Sequence, residues 1–194
     1  SILTSGRAVA VDQSRQLKNP DAVISIEDLE HAPLLGKYAD GLLGSSSADN
    51  ARFRQGHWEQ PVIKAPWVRM QSTPNPTTPY AGREFILAWG TDGDYMLTHN
   101  PGCAIRGTQA WRRNGVAVAR MRQLPCTLYT GEVFDDATAI VMAQDQSLIP
   151  AIWAFCCAQD YRDAVRKVNQ KVSVANATLV KVPFDLDHWQ KVAA

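Results

Sequence analysis

The sequence predicts an α/β fold of the mixed α+β kind: a twisted, mainly antiparallel or mixed sheet followed by a C-terminal helical pair. Three observations predict it. Across residues 61–142, short apolar runs of strand length are separated by Gly, Pro, Asn and Asp turn signals. After Ser147 the apolar residues recur at helical spacing instead. A chain of 194 residues with 45% hydrophobic content can bury one sizeable core, so a single domain is expected over 1–194, with 1–40 as a linker or arm.

Taken in order, residues 2–11 alternate as a strand or arm would, and Asn19-Pro20-Asp21 signals a turn. Residues 22–26 read as a short strand, and a helix starts near Ser25 or Glu27 and is interrupted at Pro33. Residues 44–50 are Gly, Ser, Ala, Asp and Asn, a polar loop that leads into Arg52, Phe53, Arg54, His57 and Trp58. The run VIKAPWVRM reads as a strand, and QSTPNPTTPYAGR, with three prolines, as an irregular loop. EFILAW and DYMLT flank Gly90-Thr91-Asp92-Gly93 and are expected to pair as a hairpin. Asn114-Gly115 predicts a second hairpin, with Val116, Val118, Arg120 and Arg122 on one face of its outgoing strand. FDDATAIVM reads as a turn and a buried strand, with Asp135-Asp136 in the turn. Ser147 is placed as the cap of a helix through IPAIWAFCCAQ, Pro150 being tolerated in its first turn, and DYRDAVRKVNQ continues helically. A strand over 178–182 is expected to end at Pro183. The chain begins at Ser1 and HWQKVAA runs on without a helix stop signal, so it reads as a piece of a larger enzyme.

Charge is local. The net charge is +1, yet residues 50–131 hold ten basic and four acidic side chains, and 95–131 contain no Asp or Glu. Within 106–122 stand five arginines and Trp111. Such a patch attracts a polyanion through counterion release, and guanidinium forks and aromatic faces suit phosphates and bases. The candidate DNA-binding residues are Asn50, Arg52, Arg54, Trp58, Arg106, Trp111, Arg112, Arg113, Arg120 and Arg122.

Catalytic signatures are missing. No Gly-x-Gly-x-x-Gly follows a strand, and there is no phosphate-binding Gly-Lys-Ser/Thr, Gly-x-Ser-x-Gly or His-Glu-x-x-His. Asn75-Pro76-Thr77-Thr78-Pro79-Tyr80 differs from an Asn-Pro-Pro-Tyr motif by two inserted threonines and is read as plain loop. Cys103, Cys126, Cys156 and Cys157 lack metal-ligand spacing, so no metal is expected and the thiols are read as reduced and mostly buried. No run of eighteen apolar residues exists, which argues against a membrane span, and a cytoplasmic location is the default expectation.

Asp49-Asn50-Ala51-Arg52-Phe53 followed by Trp58-Glu59 resembles the Thr-Gly-Asp-Asn-x-Arg-Phe … Trp-Glu segment of adenine-specific DNA methyltransferases of the fused restriction-modification (type IIG) and phage-exclusion kind. The closing residues, with Asn176, Thr178, Leu179, Lys181, Val182, Pro183, Phe184 and Asp185, are similar to the same family's Asn-x-Thr-Leu-x-Lys-Val-Pro-Phe-Asp ending. The sequence departs from the pattern where Ser47-Ala48 stand for Thr-Gly and the preceding loop is longer. The resemblance implies a target-recognition domain that reads double-stranded DNA for an upstream methyltransferase domain of the same chain. Residues 1–40 would then be a linker or arm from that domain. Catalysis and the cofactor S-adenosylmethionine would belong upstream, with neither expected in this piece. Two rival expectations are a protein-interaction module anchored by Trp58, Trp67, Trp89 and Trp111, and, more remotely, a nuclease fragment.

Overall fold

Every residue of two strands, β5 (Gly115–Ala119) and β8 (Thr138–Ala143), is buried in the computed structural model, which describes residues 12–17 and 33–194. Their runs, GVAVA and TAIVMA, are apolar almost throughout because both faces are covered. They pair antiparallel at the centre of a four-stranded sheet, β1-β8-β5-β6, with β1 (Ala39–Leu43) and β6 (Cys126–Tyr129) at its edges. Successive side chains point to opposite faces. Val116, Val118, Ala139 and Val141 enter one core cluster, and Ala117, Ile140 and Met142 enter another.

The first cluster lies under the C-terminal helices: α4 (Ile149–Cys157), α5 (Gln159–Val168) and α6 (Leu186–Ala193). Phe155 is its hub, with ring centroids 5.1 Å from Tyr161, 5.2 Å from Phe184 and 5.0 Å from Trp189. Tyr161 and Val165 give α5 one buried stripe, and the Tyr161 hydroxyl donates to the Leu179 carbonyl at 3.2 Å. The helical pair is thus present, with Pro150 in the first turn of α4. The cap moves upstream: Asp145 accepts from Ser147 N at 2.9 Å and starts a 3-10 turn (Gln146–Leu148) that runs into the helix.

A second mixed sheet, β2-β4-β3-β7, joins β2 (Arg54–Gly56), β4 (Phe85–Ala88) and β3 (Trp67–Gln71) antiparallel, while β7 (Val133–Phe134) runs parallel to β3. Phe53, Met70, Leu87, Trp89, Met96 and Val133 form its core. The proline-rich loop after β3 covers the edge strand β6: Leu128 N donates to Pro79 O at 3.1 Å, and Cys126 N to Thr77 Oγ1 at 3.1 Å. An edge strand's open N–H groups are thereby used.

Several expectations are corrected. Residues 94–98 are not the second strand of a hairpin but lie in a helix, α3 (Asp94–His99), because the Asp94 carboxylate accepts from Thr91 N and Tyr95 N at 2.7 and 2.6 Å and starts a helical turn. Asn114-Gly115 closes no hairpin, since a 3-10 turn (Thr108–Ala110) precedes it. Gly115 instead lies in β5, where an added Cβ would stand 3.0 Å from Val141 O. The hairpin lies further on, between β5 and β6, and its connection holds Arg120 and Arg122, which are therefore not on the face of Val116 and Val118. The expected strand over 178–182 is mostly a 3-10 helix (Asn176–Val180), tied to β1 by Asn176 Nδ2 donating to Gly41 O at 2.6 Å. The readings for 2–11, 19–21, 22–26 and the helix start near Ser25 or Glu27 lie outside the described residues. Before residue 33, only a single turn, α1 (Gln13–Gln16), is described.

Candidate nucleic-acid interface

The loop over 44–50 is fastened to the segment around Arg106. Ser46 and Ala104 exchange two backbone hydrogen bonds of 2.9 and 2.8 Å, Asn100 Nδ2 donates to Ser47 O at 2.5 Å, and Ser45 Oγ accepts from Arg106 N at 3.0 Å. Gly44 lets the chain pass so close to Asp135 that a Cβ would meet its carbonyl at 2.1 Å. At the end of the loop Asp49 caps α2 (Asn50–Phe53) by accepting from Arg52 N, and Ser47 Oγ donates to Asn50 Oδ1 at 2.8 Å.

From this base the candidates fan out. Phe53 is buried, which leaves Arg52 exposed over its ring at 5.0 Å. Arg54, on β2, lies half-buried with its guanidinium 4.5 Å from the Phe85 ring centroid. Trp58 is 66% exposed and its indole covers Gly56, where a Cβ would be 2.5 Å from the ring. Gly56 N donates to Glu59 Oε1 at 2.7 Å and holds this turn.

Trp111 and Arg112 sit at the other side of the second core. Trp111 crosses Trp89 edge-on at 5.4 Å, and the two turns that follow these rings face each other. In those turns Asp92 (φ 49°) and Arg112 (φ 61°) both adopt left-handed backbone, and their side chains approach to 3.5 Å. Side chains that are 85% and 65% exposed form an ion pair worth only about 0–1 kcal/mol. Arg112 is therefore held in place by its backbone: its N–H donates to Gly131 O at 2.9 Å, and Gly131 (φ 101°) lies so near that a Cβ would meet the Arg112 backbone at 2.7 Å. Arg69, Trp89, Asp92, Trp111, Arg112 and Glu132 help line an open cavity of about 390 Å3. Arg106 and Arg113 are both exposed, and Arg113 Nη2 donates to Ala143 O at 3.5 Å.

Arg120 and Arg122 stand apart from this group. Arg113 precedes β5 and Arg120 follows it, a separation on the order of 20 Å along an extended strand. Arg120 is a strut, since Nε donates to Val174 O at 2.9 Å and Nη1 to Asp136 O at 2.7 Å. Arg122 (φ 58°) is exposed, its carbonyl accepts from Arg166 Nη2 at 2.6 Å, and with Asn75 and Arg162 it lines a cavity of about 360 Å3. Arg69, Asp92 and Arg166 were not legible as neighbours of these arginines. The Gly90-Thr91-Asp92-Gly93 turn was visible, but nothing in it announced that Asp92 would meet Arg112.

Asp135 is the carboxylate behind this surface. Burial pushes it up from its ordinary range, while hydrogen bonds of 2.8 Å from Ser72 Oγ and Thr138 Oγ1 pull it back. Asp136 adds to the rise and Arg54 opposes it. Among the described residues no three His, Cys, Asp or Glu side chains gather as a metal site requires, and no helix is long and apolar enough to cross a membrane. Of the four tryptophans weighed as interface anchors only Trp58 is exposed, Trp89 being buried and Trp67 and Trp111 half-buried. No protein-family model and no curated protein matches this chain.

Proposed function

We propose that this chain is a DNA target-recognition domain: it reads double-stranded DNA for an adenine methyltransferase domain upstream in the same polypeptide, in a cytoplasmic restriction-modification or phage-defence enzyme. It performs no methyl transfer itself, and S-adenosylmethionine belongs to the upstream domain. The observation that carries this reading is the set of exposed guanidinium groups, Arg52, Arg106, Arg112 and Arg113, which among the described residues pair with one carboxylate, the exposed Asp92 beside Arg112. Arg112 presents a planar donor fork of the kind that grips guanine O6 and N7, and the Asp92 carboxylate is an acceptor of the kind that meets cytosine N4.

Binding of this chain to duplex DNA at low and raised salt tests the reading. About four phosphate contacts predict a loss on the order of 100-fold between about 50 and about 200 mM salt. Binding that is absent at low salt, or indifferent to salt, would overturn it. The interaction-module reading is separated by Arg112→Ala with Arg113→Ala. Unchanged DNA affinity together with lost binding to a partner subunit would favour it, whereas lost DNA affinity in a folded protein supports DNA recognition.

A further inference from the structure

Away from the exposed arginines, two nucleophilic side chains stand at near-reacting distance. Cys126 opens β6 and Cys157 closes α4, and their Sγ atoms are 3.8 Å apart although 31 residues separate them in sequence. The two differ in access: Cys126 is fully buried, whereas Cys157 is half-exposed. They also differ in electrostatics. The Sγ–Sγ contact with Cys126, in which either sulfur can donate, and the nearby Arg162 guanidinium both pull Cys157 below the ordinary thiol range against the effect of burial. The same contact, followed by burial, pushes Cys126 up. Arg162 is anchored where it acts, with Nη2 donating to Cys157 O at 2.9 Å.

We propose that Cys157 and Cys126 form an oxidisable dithiol, in which a peroxide is reduced at half-exposed Cys157 and buried Cys126 closes a disulfide behind it. In the first step the Cys157 thiolate attacks the terminal peroxide oxygen and the O–O bond breaks. Cys157 becomes a sulfenic acid, and the departing alkoxide or hydroxide takes a proton from solvent to leave as an alcohol or water. In the second step the Cys126 sulfur attacks the Cys157 sulfur and the S–O bond breaks. The Cys126 proton leaves with the hydroxide as water. Two thiols have then lost two electrons, and one peroxide has gained them. Cys156 is a poor partner: it is wholly buried, burial pushes its thiol up, and neighbouring Cα atoms lie about 3.8 Å apart, below the roughly 4.4–6.8 Å that disulfides span. The resulting bond would tie the first residue of β6 to the last of α4, beside the cavity that Thr77, Arg122, Pro125 and Arg162 line. Oxidation would thereby fasten the connection that carries Arg122.

Treating the whole chain with hydrogen peroxide under native conditions, then denaturing, alkylating and digesting it, tests the proposal. The expected product is a peptide pair joined through Cys126 and Cys157, reversed by dithiothreitol and accompanied by a rise in Tm. Cys126→Ser is expected to stop at a Cys157 sulfenic acid that dimedone traps, and Cys157→Ser to form no intramolecular disulfide. Should either variant fail to fold, brief alkylation of the untreated wild-type chain reads the same assignment, with Cys157 modified before Cys126. Both thiols remaining free after peroxide, a disulfide to Cys103 or Cys156 instead, or Cys126 alkylating first would overturn it.

Discussion

Arg112 and Arg120 come from the same seventeen-residue stretch, yet the fold uses them in opposite ways. Arg120 gives its guanidinium to two carbonyls, and Arg112 keeps its own in solvent beside Asp92. Arg120→Ala is expected to lower stability by about 2–3 kcal/mol, as expected for losing charged hydrogen bonds, while leaving DNA affinity and its salt dependence unchanged. Arg112→Ala is expected to leave the urea midpoint unchanged. It should weaken DNA binding by about 1–3 kcal/mol with relaxed preference at one base pair if it reads a base, or shallow the salt slope by about one if it holds a phosphate. The sequence showed both as arginines in an acid-free run. It could not show which carbonyls would fold back onto Arg120, because Val174 comes from a segment 54 residues later. Asp135 makes a second test at this scale. Burial raises its folded pKa above the unfolded value, so the folded protein binds more protons within that window, and stability falls as pH rises from the ordinary carboxylate range through the raised pKa. Asp135→Asn removes the buried charge and keeps an acceptor for Thr138. The variant is predicted to exceed wild type in stability near neutral pH and to lose this decline, which urea midpoints at about pH 4 and about pH 7 would measure.

Elements were legible in proportion to how much local chemistry decides them. The helical pair after Ser147 and the strands FILA and TAIVMA were readable because their period or their unbroken apolar run allowed one solution. DYMLT was misread because five residues fit a period of two nearly as well as 3.6, and a single carboxylate, Asp94, decides the matter. Asn114-Gly115 was misread because the residues ahead of it form no strand, so no partner exists for a hairpin. The turn that positions Arg112 depends instead on Gly131, which arrives from the strand connection after β6. Gly131→Ala puts a methyl group against the Arg112 backbone at a φ that L side chains rarely adopt. It is expected to cost about 1–3 kcal/mol and to weaken DNA binding together with stability. Chemical denaturation and a DNA titration on the same variant check this, and a variant with wild-type behaviour in both would show that the turn does not need a glycine.

At the scale of the molecule, the three apolar clusters raise the question of whether the two sheets unfold separately. The chain itself argues that they do not. Val133 and Phe134 pair with Met70 and Gln71 in the second sheet, while the Phe134 ring packs 5.6 Å from Tyr129 in the cluster behind the first. One residue later the Asp135 carboxylate accepts from Ser72, which follows β3, and from Thr138, which opens β8. Trp111 touches both the second and third clusters. Loss of either sheet would leave these buried groups without partners, so a single cooperative transition is favoured. Phe155→Ala, at the hub of the helical cluster, tests this. It removes contacts with Tyr161, Phe184 and Trp189 and is expected to cost about 3–5 kcal/mol. Under cooperative unfolding, the far-ultraviolet signal of the helices and the near-ultraviolet signal, to which the Trp89–Trp111 pair contributes, shift to the same lower denaturant midpoint. Two separate midpoints, with the aromatic signal left at its wild-type position, would mean that the arginine-bearing sheet stands without the helical layer.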